Sequence, residues 1–90
     1  MAPLSAEDIR NFEPYKHAVT RAFRKMEVVP DMTDALVAIA LALYTYNNYP
    51  DPVERSRQHI RKCNYEQELE KRWMEKLERI APYFFEEIKM

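Results

Sequence analysis

The run Ala35-Leu36-Val37-Ala38-Ile39-Ala40-Leu41-Ala42-Leu43-Tyr44 constrains this chain more than any other stretch, because none of its side chains is charged or strongly polar. A helix that is apolar on every side must be enclosed by protein or lipid. Ten helical residues rise only about 15 Å, roughly half the thickness of a bilayer core, so the sequence offers no membrane span. The expectation is a buried central helix with the rest of the chain wrapped around it.

Ninety residues make one domain, 1–90. A chain of this size buries only about 60–65% of its unfolded surface, which leaves little spare core volume. Fourteen basic side chains against fifteen acidic ones argue against a whole-molecule electrostatic grip on nucleic acid or acidic membranes. Cys63 is the only cysteine, so no intramolecular disulfide forms and packing must supply the stability. The stretch Met1 to Asp8 lacks the basic start and apolar run of a secretory signal, and a cytoplasmic or other reducing compartment is expected. The chain has no glycine, which excludes a P-loop, a dinucleotide fingerprint and an Asn-Gly hairpin.

Ser5 and Asp8 form a weak capping box, with Ile9 and Phe12 following at helical spacing. Pro14 disfavours helix at Glu13, so the pattern predicts a short turn at 5–12 and a separate helix at about 14–27, carried by Tyr15, Val19, Ala22, Phe23 and Met26. Asp31 or Thr33 caps the central helix, at about 32–48, and Asp34 lies in its first turn. Asp51, Pro52 and Glu54 start a third helix, 52–63, with N-cap, first-turn proline and acidic third position in order. Beyond it the apolar face changes phase. Val53, Ile60 and Cys63 lie along one line; Leu69, Trp73, Leu77, Ile80, Phe84 and Ile88 lie along another, roughly 100° away. Either the helix breaks or one long helix shows two faces; a second capping box at Asn64 to Gln67 favours a break or bend at 63–66. The last helix then runs at about 65–89, with a kink at Pro82. The fold class is all-α, a small bundle of about four helices.

Chemistry-bearing residues are sparse. His59 and Cys63 share a helix face but supply at most half a zinc site, and Cys63 reads more simply as a small buried hydrophobe. A Cys–His nucleophile would need a lowered thiol pKa and an oxyanion hole that nothing nearby specifies. No catalytic residue, metal, cofactor or small-molecule substrate is expected. Arg55, Arg57, Arg61 and Lys62 form the densest basic patch and support an alternative reading, a nucleic-acid-binding regulator. Glu54, Glu66, Glu68 and Glu70 flank that patch with acid, and its bland reading is a solvated helix face. In the charged stretch 66–79, Glu68–Arg72 and Glu75–Arg79 have the favourable order for ion pairs at four residues.

The leading reading is therefore a protein–protein interaction module: an adaptor, assembly factor, inhibitor or small subunit. The expected docking residues are Trp73, Met74, Leu77, Phe84 and Phe85 of the C-terminal helix, with Arg72 and Arg79 at the rim. The partner is another protein or a second copy through that same helix. Against this stands a reading in which Phe84 and Phe85 both tuck under the N-terminal segment, against Phe12 and Tyr15.

Overall fold

The computed structural model describes residues 5–63 and 66–88. Four helices follow one another: α1 (Ala6–Met26), α2 (Met32–Tyr46), α3 (Pro52–Cys63) and α4 (Gln67–Ile88). Together they form a small four-helix bundle of 38 × 34 × 24 Å, with no strand among the described residues.

Three of the helix starts are built as their sequences dictate. The Ser5 hydroxyl accepts from the Asp8 N–H at 3.0 Å, and the Asp8 carboxylate accepts from the Ser5 N–H at 3.2 Å. Asp31 and Asp34 repeat this reciprocal cap on α2, at 2.9 and 3.0 Å. Asp51 accepts from the Glu54 N–H at 3.1 Å, with Pro52 in the first helical position of α3. Each such cap satisfies helix N–H groups that have no partner within the helix. Without glycine, the exits from α1 and α2 use Glu27 (φ 56°) and Asn48 (φ 60°) in the left-handed region. Asparagine tolerates that region; glutamate holds it at a steric cost of about 1 kcal/mol.

Pro14 behaves differently from the sequence expectation. The separate turn at 5–12 does not exist: α1 is one helix of 21 residues with Pro14 inside it. Pro82 likewise lies inside a continuous α4. A proline removes the hydrogen bond to the carbonyl four residues earlier. Those carbonyls belong to Arg10 and Glu78, both exposed residues where water can replace the bond. Phe12 and Tyr15, on either side of Pro14, both pack edge-on against Tyr46, with ring centroids 5.6 and 5.4 Å away. This shared contact holds the two halves of α1 on one line.

The chain breaks between Cys63 and Gln67, where the apolar phase shifts. The second capping box falls partly on Asn64 and Tyr65, outside the described residues. On either side of the break the inward residues differ from expectation in two places. Cys63 is exposed, leaving Ile60 as the fully buried apolar residue of α3 with Val53 half-buried beside the core. Leu69 is exposed at the start of α4 and lies outside the core.

α2 and α4 each pack against all three other helices, whereas α1 and α3 do not touch. The core joins Val19, Ala22 and Phe23 of α1, Val37, Ala38, Leu41 and Ala42 of α2, Ile60 of α3, and Leu77, Ile80, Ala81 and Phe84 of α4. Buried Ser56 donates its hydroxyl to the Pro52 carbonyl at 2.8 Å, so its polar atom is satisfied within α3.

Charged side chains close the bundle from outside. Arg21 and Lys25 of α1 reach Glu87 of α4 at 2.9 and 2.8 Å, and Lys76 of α4 reaches Asp31 and Asp34 of α2 at 3.0 and 3.1 Å. Neither Glu68–Arg72 nor Glu75–Arg79 is an ion pair; α4 directs several of its charges to neighbouring helices instead.

The hydrogen bond from the Asp34 N–H, then Lys76, holds Asp31 below the usual carboxylate range, and Lys25 followed by Arg21 does the same for Glu87. For a depressed carboxylate, the stabilisation is complete above the unfolded value, near pH 4, and is lost as pH falls through the lower folded value. Lys25 is raised by Glu87 and Glu86. Burial opposes the shift at Lys76, but Asp31 and Asp34 outweigh it and raise that group too, so both lysines act at the alkaline end. The urea midpoint should therefore stay flat from pH 7 to 5 and fall below pH 4. The fall should be smaller in the Asp31→Asn, Glu87→Gln double variant, and smaller at high salt because the pairs are exposed.

Candidate docking face on α1 and α2

The central helix is not enclosed, which overturns the expectation of burial on every side. α2 turns Val37, Ala38, Leu41 and Ala42 inward. Its opposite face stays bare: Met32 is 75% exposed, Leu36 50%, Ile39 39% and Leu43 44%. In a bundle of four helices each member has neighbours on one side only, and none of the described residues covers the other side of α2.

The bare residues recur at intervals of four, three and four. This is the narrow stripe along which a second helix lies in a coiled coil. Beside its C-terminal half stands the start of α1, where Ile9 is 51% exposed. Between the two helices runs an apolar groove of about 350 Å³. Ile9, Ile39 and Leu43 line it with Phe12 and Tyr46, and Asp8, Glu13 and Lys16 contribute polar groups. Glu13 and Lys16 are paired at 3.3 Å. The five exposed side chains leave roughly 500 Å² uncovered, towards the upper end of the largest patch an ordinary monomer shows.

The docking residues expected on α4 divide between core and surface. Leu77 and Phe84 are fully buried and form part of the core. Trp73, Met74 and Phe85 are half-buried and pack against that core, Phe85 edge-on to Phe84 at 5.5 Å. Arg72 and Arg79 are exposed. Because α4 packs on three helices, its broad apolar face is largely consumed within the domain.

The basic patch is brought together on α3 but is partly neutralised there. Arg57 pairs with Glu54 at 3.3 Å and with Glu78 at 3.2 Å, and Arg61 pairs with Glu70 at 3.3 Å. Arg55 lies 4.8 Å over the Tyr49 ring and donates to Gln58. Lys62 is exposed and joins no ion pair among the described residues. Two of the four cations thus have carboxylates where phosphates would have to sit.

His59 and Cys63 do stand together, 3.6 Å apart, and both are exposed. Among the described residues, no group of three or more His, Cys, Asp or Glu side chains could hold a metal ion. No helix of the described residues is long and apolar enough to cross a membrane.

Sequence reasoning missed Ile9, Met32, Leu36, Ile39 and Leu43 as surface residues. The available signal was size. On α2 the bare face carries four bulky residues, Met32, Leu36, Ile39 and Leu43, while the inward face pairs Val37 and Leu41 with the small Ala38 and Ala42. No family model, curated protein or solved structure matches this chain.

Proposed function

We propose that this chain is a protein-interaction module, an adaptor, assembly factor, inhibitor or small subunit, that docks through the bare face of α2 and the start of α1. The observation that carries the reading is the continuous stripe Met32, Leu36, Ile39, Leu43 with Ile9 beside it, left uncovered along one face of α2. Burial of such a stripe is worth about 1.5–3 kcal/mol per large side chain, enough for a few anchors to dominate an interface. The nucleic-acid reading through Arg55, Arg57, Arg61 and Lys62 is the weaker one, since Glu54, Glu78 and Glu70 already occupy two of those guanidinium groups.

The test is capture from an extract of the native host after nuclease treatment, comparing the wild type with Leu36→Glu. Leu36 is half-exposed, so the charge should leave helicity unchanged, and the melting temperature too at concentrations low enough to dissociate any dimer, and remove the captured protein. Capture of the same proteins by both chains would refute docking at this face. Capture that vanishes on nuclease treatment, and with Arg55→Glu and Lys62→Glu, would favour nucleic acid instead.

A further inference from the structure

We infer that the occupant of this face is a second copy of the chain, laid antiparallel along α2 about a two-fold axis. The inference rests on the docking reading above and deepens it.

The stripe reads the same in both directions. Residues 32, 36, 39 and 43 are spaced four, three and four, and the centre of the pattern falls between Val37 and Ala38. Turned end for end, α2 matches itself: Met32 comes opposite the partner copy's Leu43, and Leu36 opposite the partner copy's Ile39. A two-fold interface requires this self-complementarity, because one patch must meet its own copy. The alternation of four and three is the spacing of a heptad seam, which stays in contact along two supercoiled helices.

The same register completes the groove. Met32 is the most exposed residue of the stripe, and none of the described residues covers it. Pairing places it against the partner copy's Leu43, which lines the groove between α1 and α2. The Met32 thioether chain then enters that groove between Ile9 and Phe12 on one side and Ile39 and Leu43 on the other. An unbranched, adaptable side chain suits such an irregular apolar gap. The two-fold fills both grooves at once, so each is incomplete without the other copy.

The flanks of the stripe point to a copy rather than to a foreign helix. Specific heteromeric pairing is ordinarily selected by charges beside the seam. Here Thr33, Ala35 and Ala40 stand beside it, and the one charged residue of α2, Asp34, is tied to Lys76. Small neutral flanks permit close approach and set no like charges against each other. The bare apolar area, roughly 500 Å² per copy, needs only a modest polar rim to approach the ~800 Å² per partner of an ordinary stable interface. Asp8, Glu13 and Lys16 supply groups of both signs at that rim.

The experiment uses the full chain. Light scattering across a concentration series should give twice the 10.9 kDa chain mass, and Leu36→Glu should weaken the dimer at least 100-fold. In a Cys63→Ser background, mild oxidation of the double variant Met32→Cys, Leu43→Cys should give a covalent dimer. Met32→Cys alone should not, since the two copies of residue 32 lie some 16 Å apart along the axis and a disulfide needs Cα atoms within about 7 Å. Cross-linking by the single variant, or a dimer that persists in Leu36→Glu, would overturn the antiparallel pairing. A wild-type chain that stays monomeric at millimolar concentration would overturn self-pairing, yet leave the docking reading standing if Leu36→Glu still loses a captured protein. If neither dimer nor captured protein depends on Leu36, both fall.

Discussion

Leu41→Ala should destabilise the domain by about 3–4 kcal/mol, while Leu43→Ala, two residues along the same helix, should change it by less than about 1 kcal/mol. The substitution is identical; the environments are opposite. Leu41 is fully buried within the core cluster, so its truncation loses transfer energy and leaves a cavity. Leu43 keeps 44% of its surface in water, and its neighbours on the groove can relax around a smaller side chain. A domain of this length has a total stability of only about 5–13 kcal/mol, so the first variant should melt at least ten degrees lower. Urea denaturation followed by circular dichroism, at concentrations low enough to dissociate any dimer, gives both values. Equal losses would mean that α2 is enclosed on both sides, and the docking face would not exist.

Much of the fold was legible in the chain because short-range rules set it. Asp31 with Asp34, and Asp51 with Pro52 and Glu54, mark helix starts whose hydrogen bonds form within four residues. The break before Gln67 was legible as a phase shift, since Ile60 and Leu77 cannot both face one core along a straight helix. Pro14 reads as an interruption because a helix-interior proline gives up the bond to the carbonyl four residues earlier; here that carbonyl belongs to Arg10, which faces water.

The candidate site was harder to read for a different reason. Sequence polarity separates inside from outside only when one face is polar, and both faces of α2 are apolar. The inward face combines Val37 and Leu41 with two alanines. Ala38 and Ala42 let α2 sit close to its neighbours, and the bulkier Leu36, Ile39 and Leu43 are left outside. For α4 the ambiguity ran the other way. Its aromatic content suggested a surplus for docking, but a helix that meets all three others has room to bury most of it. Cys63 and Leu69, beside the break between α3 and α4, lie where each helix runs past the core, and there the apolar pattern no longer reports burial.

Phe84→Ala decides what the aromatic face of α4 is for. Phe84 is fully buried, and its ring meets Phe85 edge-on. Truncation of a core phenylalanine costs about 3–5 kcal/mol, a large part of the stability available to ninety residues. The variant should unfold at a much lower urea concentration. Because instability alone would also remove binding, the companion measurement is Arg72→Ala with Arg79→Ala. Both arginines are exposed and outside every interhelical ion pair described, so these changes should leave the melt within about 0.5 kcal/mol of wild type. If α4 is a packing helix, the arginine variant keeps full association while Leu36→Glu loses it. Loss of association in the arginine variant, with the fold intact, would return the docking surface to α4 and leave the stripe on α2 as an unoccupied apolar face.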